Sequence, residues 1–118
     1  MTHAVTIYHN PRCSKSRETL TLLQQHGVVP QVVLYLETPP DAATLTRLIH
    51  QLGLGGARDL MRRKEEIYRQ LNLADESLSE EQLIQAMIEH PKLIERPIVV
   101  AGTQARIGRP PEQVLEIL

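Results

Sequence analysis

The chain has 118 residues, of which 42% are hydrophobic, and this length and composition fit one globular domain with an apolar core. A formal net charge of -1 and the lack of a long N-terminal apolar stretch predict no nucleic-acid partner, no signal peptide and no membrane span. The single cysteine excludes an intrachain disulfide framework and a cysteine-rich zinc site, and it favours a reducing, cytoplasmic compartment.

The first third of the sequence alternates between strand and helix patterns. Residues 4–8 alternate in polarity and predict a strand. Residues 14–26 follow with helical spacing, and Gly27 is expected to stop that helix. Residues 31–36 are apolar and rich in β-branched side chains, so we predict a second, well-buried strand parallel to the first.

The middle of the sequence predicts helices and no strand. Apolar residues recur at helical spacing over 41–52, and a further helical stretch is predicted over 57–71. Ser79 and Gln82 have the spacing of a capping box, which predicts the start of another helix. That helix is expected to end at His90, directly before a proline.

Strand patterns return near the end of the sequence. Residues 97–100 predict a buried strand, and residues 105–107 are expected to pair back onto it as a hairpin. A final helix is predicted after Gly108, with Val114, Leu115 and Leu118 on its inner face.

The predicted element order gives the fold class. It reads β-α-β, a helical block, then β-β-α, and without the helical block this is the thioredoxin arrangement. We therefore predict an α/β, thioredoxin-like fold in a single domain over residues 1–118, with a helical insertion over approximately 41–90.

The lone cysteine, Cys13, lies at the corner between the first predicted strand and the first helix. The first amides of a helix lack intrahelical partners and favour an anion, so we predict that Cys13 is a nucleophile in its thiolate form. Cationic and polar neighbours lower a thiol pKa, and here they are His9, Arg12, Lys15 and Arg17. The alternative is a buried cysteine that acts as a small hydrophobe.

Three arginines are candidate partners for an anion at Cys13. Arg96 lies directly before a proline and a buried strand, and in a thioredoxin arrangement this loop approaches the loop of Cys13. Arg62 lies in the helical block, and Arg109 precedes a double proline. The planar guanidinium suits a tetrahedral oxyanion, although each arginine could instead be a solvated surface group. No two histidines have a metal-ligand spacing, so no metal is predicted.

Four sequence blocks resemble a known family, the glutaredoxin-dependent arsenate reductases, within the wider group that includes the Spx-type regulators. The resemblance covers essentially the whole chain and is strongest to the short branch often called YfgD. The blocks are His9-Asn10-Pro11-x-Cys13-x-x-Ser16-Arg17, Leu60-Met61-Arg62, Arg96-Pro97-Ile98-Val99-Val100 and Gly108-Arg109-Pro110.

The resemblance implies both residue roles and a reaction. Cys13 would be the catalytic nucleophile, His9 would help to lower its pKa, and the Arg96–Pro97 bond would be cis. The implied oxyanion-binding residues are Arg62, Arg96, Arg109, Ser16 and Arg17. The implied reaction reduces arsenate to arsenite, with no bound cofactor, glutathione as co-substrate and glutaredoxin as the external reductant.

Two other functions stay open at this point. Ser14 and Lys15 follow Cys13 where the best-known family members have Gly-Thr, so the loop is more cationic than theirs. The first alternative is therefore a thiol oxidoreductase that acts on another anionic or glutathionylated substrate. The second is a Spx-like regulator that binds RNA polymerase, although Ser16 stands where the second cysteine of a CxxC switch would be.

Overall fold

The computed structural model describes residues 4–118, and the chain divides into two compact units. One unit combines the chain up to Thr38 with Arg96–Leu118, and the other is Pro39–Glu95. The predicted organisation, one domain with a helical insertion, stays a prediction. None of the helices within 4–118 has the length and apolar character that crossing a membrane requires.

The first unit contains a four-stranded mixed sheet in the order β2-β1-β3-β4. Its strands are β1 (Val5–Tyr8), β2 (Gln31–Val33), β3 (Ile98–Ala101) and β4 (Gln104–Ile107), and α1 (Ser14–Gln25) connects β1 to β2. β2 runs parallel to β1, whereas β3 is antiparallel to both β1 and β4. This is a thioredoxin-like topology, and the predicted fold class is confirmed.

One apolar cluster joins this sheet to the helices of the same unit. Its buried members are Ile7, Leu23, Val99, Ala101, Val114 and Ile117, which come from β1, β3, α1 and the C-terminal segment. Burial of a side chain of the size of Leu or Val contributes roughly 1.5–3 kcal/mol. The cluster therefore fixes β1 and α1 against each other and, with them, the loop that connects them.

The second strand is shorter and more exposed than predicted. β2 ends at Val33, and both Gln31 and Val32 are exposed, so the prediction of a well-buried strand over 31–36 was wrong. The reason lies in the topology, because β2 is an edge strand with a neighbour on one side only. The second half of the apolar run, residues 34–36, lies after the end of β2, and its buried residue is Tyr35, which is 1% exposed.

The C-terminal segment also departs from its prediction. It is a 3₁₀ helix from Pro111 to Ile117. Such a helix has three residues per turn, and the buried positions Pro111, Val114 and Ile117 follow that spacing. Leu118, which was expected on the inner face, is 46% exposed, and Leu115 is half-buried.

The second unit is helical. Its α-helices are α2 (Ala42–Gln51), α3 (Glu66–Gln70) and α4 (Glu80–Glu89), and its 3₁₀ helices are Ala57–Leu60 and Pro91–Leu93. The helical stretch predicted over 57–71 is interrupted, because Met61 is extended and forms an isolated β-bridge with Ile94. The capping box is confirmed: the Gln82 amide donates to the Ser79 hydroxyl, and the Ser79 amide donates to the Gln82 side chain.

Gly108 has no room for a side chain, so Gly108→Ala should destabilise the first unit. A Cβ there would overlap the Thr19 side chain and lie 2.9 Å from Cγ of Pro97. Overpacking of this kind costs about 1–3 kcal/mol, and urea unfolding would measure it. Gly55→Ala is the control, since its Cβ would meet only the Asp59 carboxylate at 3.3 Å. Equal unfolding midpoints for Gly108→Ala and the unmodified protein would contradict the expectation.

Candidate active site

Cys13 is the N-cap residue of α1, at the end of a short turn that begins with Asn10. The Asn10 carbonyl accepts from the Cys13 amide at 3.0 Å, and the Asn10 side-chain oxygen accepts from the Arg12 amide at 3.0 Å. Asparagine is suited to such a turn because its side chain can bond to the backbone two residues on. The turn thus delivers the sulfur to the N-terminus of the helix, with Cys13 only 9% exposed.

The surroundings of the sulfur lower the pKa of the Cys13 thiol. Burial alone would raise this pKa, but donors to the sulfur outweigh burial. In order of effect, these donors are the Ser16 amide, the Arg96 guanidinium, which also acts through its charge, and the Lys15 amide. A lowered pKa increases the thiolate fraction near neutral pH, and the thiolate is the nucleophilic form.

A second guanidinium reaches the sulfur from the end of β4. Nη2 of Arg109 lies 3.7 Å from Sγ of Cys13, and Nε of Arg109 donates to the Arg96 carbonyl at 2.8 Å. The hairpin explains this proximity, because Ile98 is opposite Ile107 and each arginine lies two residues beyond that pair. Arg96 and Arg109 are therefore brought together at one end of the hairpin, next to Cys13.

Both arginines precede a proline in the cis form. The Arg96–Pro97 bond is cis, which the family resemblance implied. The Arg109–Pro110 bond is also cis, and no sequence pattern predicted it. Pro97 is buried directly before β3, where its carbonyl accepts from the Gly108 amide at 2.9 Å.

His9 contacts Ser16 and is 6% exposed. Its Nδ1 lies 2.6 Å from the Ser16 hydroxyl, which also accepts from the Asn10 amide at 3.0 Å. Burial, and then the charge of Arg17, lower the pKa of His9, so the imidazole is neutral at pH 7. Ser16 thus gives its amide to the sulfur of Cys13 while its hydroxyl bonds to His9 and Asn10.

Two cations close to Cys13 in sequence have partners elsewhere. The Arg17 guanidinium donates to the Pro11 carbonyl at 2.9 Å, and Nζ of Lys15 lies 3.5 Å from a Glu18 carboxylate oxygen. Neither side chain is brought to the sulfur by these contacts. The oxyanion-binding role of Arg17 stays a prediction, and Lys15 donates to the sulfur of Cys13 through its backbone amide.

Arg62 belongs to the unit Pro39–Glu95, where two carboxylates hold it. Its Nη1 lies 3.6 Å from Glu65, and its Nε lies 3.8 Å from Glu95. Its amide donates to the Leu93 carbonyl at 2.7 Å, which fixes the backbone at this point. The role of Arg62 in oxyanion binding stays a prediction.

The groups gathered at Cys13 form a donor set for an anion. They are the Ser16 and Lys15 amides and the guanidinium groups of Arg96 and Arg109. Charged donors give shorter and stronger hydrogen bonds to oxyanions than neutral donors do. Across residues 4–118, no three His, Cys, Asp or Glu side chains come together as a metal site would require.

The lowered pKa predicts that Cys13 is alkylated at a lower pH than an ordinary thiol. The rate of reaction with iodoacetamide should rise with pH around a midpoint below about 8.5, the value of an ordinary thiol. Mass spectrometry reads this site alone, because Cys13 is the only cysteine. The urea-unfolded chain is the control and should titrate near the ordinary value. A folded midpoint at or above the unfolded one would contradict an activated thiolate.

A thioredoxin-like unit with an activated cysteine at its first helix defines a class of thiol-dependent proteins, and comparisons with known proteins specify the family. The ArsC family model matches residues 8–117. The chain is 71% identical to "Uncharacterized protein YfgD" of Escherichia coli K12, over 100% of this chain and 99% of the relative. It is 51% identical to an "Arsenate reductase" of Haemophilus influenzae, over 98% and 99% of the two chains. The solved "Arsenate reductase from Vibrio cholerae" superimposes with a TM-score of 0.97 and 63% identity over 100% of both chains. The chain belongs to the ArsC family.

Proposed function

We propose that this protein is an arsenate reductase in which the Cys13 thiolate attacks arsenate, with glutathione and glutaredoxin as external reductants. The observation that supports it most is the position of the Cys13 sulfur, between helix amides and the guanidinium groups of Arg96 and Arg109. Relatives named arsenate reductase that align over nearly the whole chain also support it.

The charges at Cys13 suit a tetrahedral dianion. Arsenate and a thiolate repel each other, so the nucleophile needs positive charge around it before it can approach arsenic. Arg96 and Arg109 supply two such charges, and the guanidinium fork can donate two parallel hydrogen bonds to arsenate oxygens. The same donors stabilise the negative charge that develops on those oxygens in the transition state.

The proposed reaction has four steps that balance. The sulfur of Cys13 forms a bond to arsenic(V) as one As–O bond breaks, and the oxygen leaves as water. Glutathione then adds its sulfur to arsenic, and a second water leaves. A glutaredoxin thiol attacks the sulfur of that glutathione and forms a mixed disulfide, and the As–S electron pair reduces arsenic from +5 to +3. Water finally cleaves the Cys13–arsenic bond, which releases arsenite and restores the thiol.

The cysteine count agrees with reductants from outside the chain. Reduction by two electrons consumes two thiols and produces one disulfide, and Cys13 has no second cysteine with which to pair. The cytoplasm, which maintains a pool of reduced thiols, is the compartment in which we propose that the reaction takes place.

A coupled assay tests this proposal directly. Glutathione, glutaredoxin, glutathione reductase and NADPH are mixed with the protein, and the loss of NADPH absorbance is followed with and without arsenate. We expect NADPH oxidation that depends on arsenate and is proportional to the protein concentration. If arsenate has no effect, the proposed reaction is wrong, and glutathionylated peptides become the substrates to assay with the same thiolate.

A further inference from the structure

A cleft lies beside the Cys13 loop, within the first unit. Its volume is about 300 Å³, and it is formed by the loop after β1 and the segment after β2. The residues that line it include His9, Pro11, Arg12, Leu34, Leu36 and Glu37. This volume is at the lower end of the range for small-molecule sites, so a ligand of a few tens of atoms fits it better than a folded protein does.

The cleft carries one positive and one negative charge. Arg12 and Glu37 are both exposed, and neither the guanidinium nor the carboxylate has a hydrogen-bond or ion-pair partner among residues 4–118. His9 adds no charge, because burial and the charge of Arg17 lower the pKa of its imidazole. A complementary ligand therefore carries a carboxylate and an ammonium group.

Apolar side chains lie among these charged groups. Leu34 is half-buried and Leu36 is 41% exposed, and Pro11 lines the cleft on the side of the Cys13 loop. A short aliphatic segment between the two charges of a ligand would cover this apolar surface. The cleft thus fits a small zwitterion with an aliphatic middle.

The proposed reaction requires an external thiol close to Cys13. Because the chain has no second cysteine, the arsenic-bound Cys13 must be met by a thiol from another molecule. Pro11 and Arg12, which line the cleft, are the two residues directly before Cys13. A thiol-bearing molecule held in the cleft would therefore be next to the loop that carries the nucleophile.

We propose that this cleft binds the small thiol co-substrate, a zwitterionic thiol peptide whose carboxylate pairs with Arg12 and whose ammonium pairs with Glu37. This inference rests on the proposed function and adds the place where the first external thiol enters. In that step the sulfur of the peptide bonds to arsenic(V), one As–O bond breaks, and the thiol proton leaves with that oxygen as water.

Glu37→Gln distinguishes this pairing from general electrostatic attraction. Glutathione, the probe, has two carboxylates and one ammonium group and so a net charge of about -1 at pH 7. If only net charge mattered, loss of the Glu37 carboxylate would lower the KM for glutathione. The proposed pairing predicts the opposite sign, a rise of about 1.5- to fivefold, which is the range for one exposed charge pair. Arg12→Gln should raise this KM by a similar factor.

The kinetic test measures the KM for glutathione in the coupled assay at saturating arsenate and glutaredoxin. The KM for glutaredoxin is measured in parallel. Matched controls are Glu66→Gln and Arg69→Gln, exposed members of an ion pair 4.0 Å apart in the unit Pro39–Glu95, which should leave both values unchanged. An unchanged or lower KM for glutathione in Glu37→Gln overturns the proposal, as does a change confined to the KM for glutaredoxin.

A binding test separates this inference from the proposed function. Backbone amide shifts of Cys13→Ser are followed by NMR during titration with glutathione, and then with N-acetylated glutathione, which lacks the ammonium group. We expect shifts at the cleft residues and a dissociation constant about 1.5- to fivefold higher for the acetylated probe. The pairing would be supported if Glu37→Gln raised the dissociation constant of glutathione by the same factor and left that of the acetylated probe unchanged.

The two tests give distinct results for the two proposals. Binding in the cleft without arsenate-dependent NADPH oxidation would overturn the arsenate reductase proposal and retain the zwitterion site. The opposite result would be arsenate reduction by a protein in which glutathione shifts amide signals only outside the cleft, or in which both probes bind equally well. That result would overturn the zwitterion site and retain the arsenate reductase proposal.

Discussion

Cys13→Ser should abolish arsenate reduction, with a rate at least about 10³-fold below that of the unmodified protein. A serine hydroxyl stays protonated at pH 7, so the Ser16 and Lys15 amides would face a neutral oxygen in place of a thiolate. No other cysteine can take over, because Cys13 is the only one. The coupled NADPH assay measures the loss.

The same variant must remain folded for the loss of activity to be informative. Serine is close in size to cysteine and can cap the helix through the same amides, so circular dichroism should be unchanged at pH 6. Because the pKa of Cys13 is lower in the folded state, the thiolate contributes stability that is fully present above about pH 8.5, the ordinary thiol pKa. This contribution is lost as the pH falls through the lowered pKa of the folded state. The stability of the unmodified protein over the variant should therefore grow between pH 6 and 9. Residual arsenate reduction by a folded variant would exclude Cys13 as the nucleophile.

Arg96→Ala should lower kcat/KM for arsenate at pH 7 by about 10²-fold. The substitution removes the side-chain hydrogen bond and the charge that Arg96 gives to the Cys13 sulfur. It keeps the Arg96 carbonyl, so Nε of Arg109 retains the acceptor that positions it at 2.8 Å. The effect therefore reports on one guanidinium, and steady-state kinetics with varied arsenate measures it.

The pH dependence of Arg96→Ala has a defined sign. Loss of Arg96 leaves burial of Cys13 less opposed, so the pKa of the thiol rises, and the iodoacetamide midpoint moves to higher pH. Part of the lost activity should return as pH rises, because the thiolate fraction recovers. Arg106→Ala is the matched control: Arg106 lies in the same hairpin but pairs with Glu116 at 2.9 Å, so the midpoint should stay in place. Equal midpoints for all three proteins would remove Arg96 from the site.

Local patterns in the sequence predicted the fold class well. The capping box at Ser79, the stop at Gly27 and the hairpin around Gly102 each depend on a few adjacent residues, and the structure has all three. The burial of β2 was wrong because it depends on which strand forms the edge of the sheet. A run of apolar residues carries no information about neighbours that come from the far end of the chain.

The candidate site was also predictable only where it depends on adjacent residues or on the predicted topology. The position of Cys13 at a helix start follows from adjacent residues, and the approach of Arg96 followed from the predicted topology. The side-chain contacts of Lys15 with Glu18 and of Arg17 with the Pro11 carbonyl did not follow from the sequence, since adjacent charges do not specify which partner each side chain meets. The contact of His9 with the Ser16 hydroxyl joins residues seven positions apart, and no sequence periodicity indicates it.

The hairpin between β3 and β4 places a constraint on evolution at its turn. Ala101 is opposite Gln104, and this register carries through to the positions of Arg96 and Arg109 at the other end. Surface turns usually accept inserted or deleted residues. Here, a change of one residue that shifted β4 against β3 would displace Arg109 along the strand direction by about 3.4 Å and would move the side chains of β4 to the opposite face of the sheet. We therefore expect the turn at Gly102 to keep its length in relatives that have both arginines next to the cysteine.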